Sequence, residues 1–375
     1  MKKTSVAIIG AGIVGATSAY YLAKSGYKVT IFDKEIGQAT SAAAGIISPW
    51  LSQRRNQIWY RLASDGAAFY PSLMQDLKED GITDLPYQQV GALVFKKTPQ
   101  QAEKLLSIAK KRRQEAPMIG ELELLSPQGI QEKIPSWIGQ EPAVFASGGG
   151  RVDGALLRKY LLEIAIRNGA IFYQEQVTLR REEGTISVVT KQGQNTFDHV
   201  ILSCGAWLND LLNPIGLKAD VRPQKGQLIE LQLPNNLDTS SWPVFMLDGE
   251  IDILPFANGR IVIGATHEND GGFDLTPDHS LQEKMLHQAS QQLSILKHLP
   301  IQQCRIGTRA YTSDFQPFFG TLSQFPQISL ASGLGSSGLT SGALIGKLLS
   351  DTIRGISTDF PSDHYSPENY IDTMC

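Results

Sequence analysis

Val6-Ala7-Ile8-Ile9-Gly10-Ala11-Gly12-Ile13-Val14-Gly15 stands near the start of the chain, and its reading decides the fold. The apolar run predicts a strand, and Gly10, Gly12 and Gly15 form a GxGxxG directly after it. The first glycine suits a tight turn, the second lets backbone approach a pyrophosphate, and the third lets helix pack close to strand. The helix that follows offers unpaired N–H groups and a positive dipole end to phosphates, with Ile13 and Val14 in its first turn. Gly26 suits its C-terminus, and residues 28–32 read as a second strand. Asp33 closes that strand 18 residues after Gly15 (33 − 15), beside Lys34. This is close to the ~20-residue spacing of a carboxylate that bonds ribose hydroxyls, and an acid there disfavours NADP. Met1-Lys2-Lys3 before the apolar stretch 5–23 also resembles a signal peptide or a membrane span. The order strand, glycines, helix, glycine, strand favours a βαβ unit instead, and no other run is long enough to span a bilayer.

The remaining composition narrows the classes. The chain has 375 residues, 42% hydrophobic and 19% charged, with a net charge of −3 and 35 glycines. Disorder is excluded, since it requires low hydrophobicity and high net charge. With no basic excess, nucleic acid is not expected as a partner. The length allows one oversized domain or two. Cys204, Cys304 and Cys375 show no CxxC spacing, so neither a disulfide framework nor a metal site is expected, and a cytoplasmic location is the simplest.

Along the chain, small residues crowd Thr40-Ser41-Ala42-Ala43-Ala44-Gly45-Ile46-Ile47, which lets backbone run against a flat ligand. Residues 48–61 carry Trp50, Arg54, Arg55 and Trp59, a loop over a pocket or a solvated helix end. Residues 89–97 read as a strand, 99–114 as a helix with an exposed basic face, and 117–147 as irregular. A helix is expected over 151–168, hairpins through Glu183-Gly184 and Gln192-Gly193, and a buried strand over 199–203 before Gly205 and Trp207. Strands over 226–233 and 251–265 precede a helix over 278–296. Strand 328–331 then opens Gly333-Leu334-Gly335-Ser336-Ser337-Gly338, with a small-faced helix over 339–353. This alternation predicts an α/β chain of two interleaved modules. A Rossmann-like nucleotide-binding domain takes 1–85, 148–220 and 315–375. A smaller α+β substrate domain on a mainly antiparallel sheet takes 86–147 and 221–314.

The first glycine turn does not choose between NAD and FAD. The second offers another positive helix end, which flavoproteins use to stabilise charge on the flavin pyrimidine ring, so FAD is favoured.

GAGIVGATSAYYLAKSG (10–26), TSAAAGI (40–46), RVDGALLR (151–158), VILSCGAW (200–207), RPQKGQ (222–227), GRIVIGAT (259–266), TRAYTSDFQPFFG (308–320) and ASGLGSSGLTSG (331–342) fall in the order seen in the D-amino-acid oxidase family. The chain resembles that family over nearly its whole length, most closely bacterial glycine oxidase and the D-amino-acid dehydrogenases. The resemblance implies a two-domain FAD enzyme that oxidises the C–N bond of a small amino acid or amine. A hydride would pass to flavin N5, giving an imine that hydrolyses. It places Gly10, Gly12 and Gly15 at the pyrophosphate, and Asp33, where the family more often has Glu, at the ribose. Thr40, Ser41, Ala44, Gly45 and Ile46 would line the phosphates and ring, and Val177 would meet the adenine. Gly205 and Trp207 would flank the cofactor, with Gly335, Ser336, Ser337, Gly338 and Leu339 at the pyrimidine side. No His or Cys matches the family's covalent attachment points, so the FAD is expected to be non-covalent.

Arg309 falls at the arginine that grips the substrate carboxylate in glycine oxidase; an ion pair with Asp314 is the competing reading. A planar guanidinium suits a carboxylate two-pronged. Counting back from Gly264-Ala265-Thr266, Asp252 occupies the place of a substrate-contacting tyrosine. There it could meet a substrate ammonium, favouring a basic or N-substituted amino acid; a surface carboxylate is the alternative. His267 and Arg54 are further pocket candidates by position. A sarcosine-oxidase-like demethylase, a glycerol-phosphate-oxidase-like enzyme and a non-catalytic dinucleotide-binding protein are the rival readings. Electron acceptor and oligomeric state are left open.

Overall fold

Val6, Ala7 and Ile8 are fully buried, as a strand covered on both faces must be. In the computed structural model, which describes residues 3–52, 54, 56–182, 184–234 and 237–374, they lie at the centre of a six-stranded sheet. Arg55, Glu183 and Cys375, and the charged Met1-Lys2, lie outside the described residues. The sheet order is Phe318–Leu322, Phe325–Ser332, His199–Leu202, Ser5–Ile9, Lys28–Phe32 and Ile171–Tyr173. All pairings are parallel except that of the edge strand Phe318–Leu322. The crossover after Ser5–Ile9 is the helix Ile13–Lys24. Against it lies the helix Gly338–Arg354, close enough that a Cβ on Gly346 would sit 2.5 Å from the Val14 carbonyl oxygen. No described helix is long and apolar enough to cross a membrane.

A second, eight-stranded sheet runs Gln303–Tyr311, Arg222–Gln232, Arg260–Gly264, Asp252–Pro255, Val244–Met246, Ala92–Phe95, Ala143–Ala146 and Leu122–Leu125. It is antiparallel except where Val244–Met246 meets Ala92–Phe95. Trp137 stacks on Phe95 and Phe245 in its core, at 4.5 and 5.6 Å between centroids. A small sheet of Ile46–Ile47, Gly150–Val152 and Tyr87–Gln89 joins the two parts. From it Arg151, 1% exposed, donates to Gln88 Oε1 at 2.8 Å, to the carbonyls of Ser240 and Trp242 at 2.6 and 3.0 Å, and to that of Pro255.

Three expectations need correction. Residues 117–147 hold two strands of the large sheet and the helix Pro127–Lys133; the strands are short and lie at or next to the sheet's edge, so their apolar pattern is weak. The strand expected over 89–97 is divided at Gly91, whose φ of 82° breaks the pleat against Phe145. The helix expected to end near 296 ends at Ser290. The 23-residue helix Gln57–Glu79 was not anticipated beyond its first turn. It crosses Gly338–Arg354 where Gly66 allows contact, a Cβ there falling 2.4 Å from the Thr340 carbonyl.

Candidate active site

The two sheets face one another across a cleft enclosing about 1800 Å³ of atom-free space, part of it continuous with solvent. At one end the first glycine turn forms its wall. Gly10 has a φ of 95°, and a Cβ there would lie 2.5 Å from the Ser203 carbonyl oxygen. A Cβ on Gly15 would lie 1.9 Å from the Gly10 oxygen, so this glycine packs the turn and does not line the cleft. Gly12, Ile13 and Val14 do line it, and the Ile13 N–H donates to Thr40 Oγ1 at 2.9 Å.

Asp33 is 9% exposed and accepts from the N–H groups of Ala11 and Glu35, each at 2.5 Å. Each carboxylate oxygen thus keeps a lone pair for a hydroxyl donor in the cleft. Arg158 fixes this corner, donating to the Ala11 carbonyl at 2.7 Å and pairing with Glu35 at 2.8 Å. Lys34 Nζ lies 4.6 Å above the Trp207 ring, which packs on Phe273. Val177 and Gly205 complete this end, with Cys204, whose thiol burial pushes up to about 12. That cysteine stays a neutral thiol.

At the middle, Ala44, Gly45 and Ile46 line the cleft, Gly45 lying so close to Val152 that a Cβ would come 2.0 Å from its carbonyl. Ser41 is turned away: its hydroxyl bonds Gln38 Oε1 and its carbonyl accepts from Arg305. The second glycine turn closes the far wall with Gly335, Ser336, Gly338 and Leu339. Ser337 is not part of that lining; its hydroxyl accepts from Trp59 Nε1 and donates to the Leu334 carbonyl. Two N-terminal helix ends and two glycine turns therefore face one space, which suits a diphosphate at one end and an electron-rich ring at the other. Gln38 and Thr308, whose backbones pair, both line the cleft, and Gln38 Nε2 and Thr308 Oγ1 are buried without a hydrogen-bond partner among the described residues. Among the described residues no cluster could hold a metal ion.

Arg309, Asp252 and His267 line the remaining part together, joined by Glu250. Arg309 projects from Gln303–Tyr311 over Gly226, where a Cβ would lie 2.5 Å from Nη1. Nη1 donates to the Thr266 carbonyl at 2.8 Å and to Gln224 Oε1 at 3.2 Å. Both Nη1 hydrogens are thereby used, leaving Nε and Nη2 as the open fork. Asp314 is turned elsewhere, to Thr312, Gln316 and Tyr370, and among the described residues Arg309 has no ion pair. Burial lowers the guanidinium pKa. Burial also lowers that of His267, aided by Arg309, which favours neutral imidazole. Burial raises Asp252 to about 7, against a hydrogen bond from the Leu247 N–H. Arg54 stands apart: it is exposed, outside the lining, and stacks on Trp59 at 4.5 Å.

Sequence reasoning passed over Gln38, Thr308 and Glu250. Thr308 opens the quoted segment 308–320 and Gln38 stands two residues before Thr40, which was the available signal.

Comparison with known proteins adds to this geometry. A family model described as DAO, FAD dependent oxidoreductase, matches residues 5–352. A Bacillus subtilis protein described as the uncharacterized oxidoreductase YurR is 41% identical over 366 residues, 97% of this chain and 98% of its own. Glycine oxidase of Pseudomonas aeruginosa is 29% identical, covering 96% of this chain and 98% of its own. The crystal structure of iminodiacetate oxidase from Chelativorans sp. BNC1 superposes with a TM-score of 0.93 at 35% identity, over 96% of this chain and 98% of that one.

Proposed function

Starting from the fact that the chain belongs to the DAO family of FAD dependent oxidoreductases, and so is an FAD enzyme of the amino acid oxidase type acting on C–N donors, we propose that it oxidises a small amino acid held by its carboxylate on Arg309. The observation that carries this is a half-buried guanidinium in the cleft whose Nε and Nη2 have no acceptor among the described residues. An uncompensated buried cation is costly, and an anionic ligand offsets that cost. We further propose Asp252 as the partner of the substrate's amino group, which favours an N-substituted amino acid. The likeness to an iminodiacetate oxidase, named for a substrate of that kind, supports this reading.

The residues present suit non-covalent FAD. Gly10, Gly12 and the Ile13 turn would meet its diphosphate, Asp33 its ribose, and Gly335, Ser336, Gly338 and Leu339 its ring. FAD, when bound, supplies the acceptor for the hydride that leaves the substrate's Cα. The chain's own part is orientation and proton handling. Arg309 fixes the carboxylate and thereby the direction of the Cα–H bond. Asp252, ionised, takes a proton from the substrate ammonium, freeing the nitrogen lone pair that forms the C=N bond as the hydride departs. Water then hydrolyses the imine. The alternating segments 1–85, 148–220 and 315–375 against 86–147 and 221–314 are proposed as the cofactor and substrate domains.

The test is anaerobic mixing of the FAD-loaded protein with glycine, sarcosine, iminodiacetate and a set of D- and L-amino acids. Bleaching of flavin absorbance by N-substituted glycines faster than by glycine is expected. A flavin left oxidised by every compound in that panel would overturn the proposal.

A further inference from the structure

Beneath Arg309, on the side away from the cleft, the buried Lys225 meets a partly exposed Glu268 and an exposed Asp274. Lys225 is 4% exposed, does not line the cleft, and sits one residue before Gly226, on which the Arg309 guanidinium rests. Its Nζ donates to Asp274 at 2.8 Å and to the Thr276 carbonyl at 2.6 Å, and lies 3.7 Å from Glu268 Oε2. Burial opposes its charge, but Asp274 and Glu268 outweigh that and raise its pKa. Lys225 is therefore a fixed ammonium.

The contacts around it reach Arg309 through two acceptors, the Thr266 carbonyl and Gln224 Oε1. The Glu268 N–H donates to the Lys225 carbonyl at 3.0 Å. Glu268 Oε1 accepts from Thr266 Oγ1 at 2.6 Å and from Gln227 Nε2 at 2.8 Å. Thr266 and Gln227 also exchange two further bonds, Thr266 N to the Gln227 carbonyl at 2.9 Å and Gln227 N to Thr266 Oγ1 at 2.8 Å. The Thr266 carbonyl so fixed is the one that takes Arg309 Nη1. The second Nη1 acceptor, Gln224 Oε1, is held through its amide by Asn269 Oδ1 at 2.5 Å, on the same loop.

We infer that Lys225 and Glu268 are positioning residues for Arg309: their ion pair sets the loop 266–274, whose carbonyl and Asn269 orient the guanidinium so that its Nε–Nη2 edge faces the cleft. The inference rests on the reading of Arg309 as carboxylate clamp. Buried polar networks act as units, and a clamp displaced by a fraction of its length loses its geometric advantage.

The test uses the FAD-loaded protein and acetate as the probe, followed by the perturbation it causes in flavin absorbance. Lys225→Met and Glu268→Ala are each expected to weaken acetate binding about tenfold, and to lower kcat/KM for the amino acid substrate by at least as much. Lys225→Arg is expected to restore most of the affinity. The two variants remove opposite charges, so a mere field effect on the bound anion predicts opposite signs: weaker binding in Lys225→Met, tighter in Glu268→Ala. That outcome, or unchanged acetate binding in both, overturns the inference. So does loss of FAD from both, which marks a role in the fold as a whole. Arg309→Met separates the two readings, since acetate affinity unaffected by that change removes the clamp itself.

Discussion

At its nucleotide end the cleft is walled by backbone: Gly10, Gly12 and Gly45 expose peptide groups to it, and Cβ atoms on Gly10 or Gly45 would strike neighbouring carbonyls. At its other end the wall is made of ionisable side chains, Arg309, Asp252, Glu250 and His267, standing on strands and connecting loops of the antiparallel sheet. The first construction tolerates almost no change of side chain. In the second, Arg309 is held by hydrogen bonds to the Thr266 carbonyl and to Gln224 and not by close backbone packing, so its side chains can be exchanged with less disturbance to the fold. A family built this way keeps one cofactor and varies its substrate.

The largest effect expected from this contrast is at Gly15. Alanine there would place Cβ 1.9 Å from the Gly10 oxygen and 2.6 Å from Ser203 Oγ, with no flexible neighbour to yield at the first contact. Gly15→Ala should purify without flavin, measured as flavin absorbance per protein. A fully loaded Gly15→Ala would show that the turn is not the rigid element described. At the other end Arg309→Met should retain its flavin and lose about a thousandfold in kcat/KM, the scale seen when one partner of a buried charge pair is removed. If FAD is lost as well, the two ends are not independent and the contrast fails.

How much of this could be read beforehand follows the same division. Gly10, Gly12, Gly15 and Asp33 were legible because a strand–glycine–helix turn is a local pattern, complete within thirty-odd residues. Arg309 and Asp252 were legible only through resemblance, as nothing adjacent to them in sequence states what they face. Arg151 shows why the rest was hidden: its acceptors at Gln88, Ser240, Trp242 and Pro255 lie 63 to 104 residues away along the chain. The Lys225–Glu268 pair is similarly invisible, because RPQKGQ offers a lysine that in isolation reads as surface. The helix Gln57–Glu79 escaped because Pro71 and Gly66 interrupt a pattern that the tertiary contact with Gly338–Arg354 sustains. Arg54 was a pocket candidate by position, yet it stacks on Trp59 outside the cleft.

The smallest effect, and the one that most sharpens the comparison, concerns Asp252. Burial raises its pKa from 3.8 to about 7, so near neutrality the group passes from a neutral acid to a carboxylate. If the ionised form receives the substrate ammonium, kcat/KM rises with pH through about 7 and levels off above it. In Asp252→Asn that limb should vanish, with activity about tenfold lower on the alkaline side and nearly unchanged on the acid side. The sign for stability is opposite. A carboxyl whose folded pKa lies above its unfolded value binds its proton more tightly in the native state, so it costs stability as pH rises from 3.8 towards about 7. Asparagine removes that cost. The melting temperature of Asp252→Asn relative to the parent should therefore climb by a few degrees between about pH 5 and pH 8, while its catalysis falls. A buried acid kept at the expense of stability is what a substrate site requires and a packing site does not, so equal melting profiles together with an unchanged pH–rate limb would return Asp252 to the status of an ordinary strand residue.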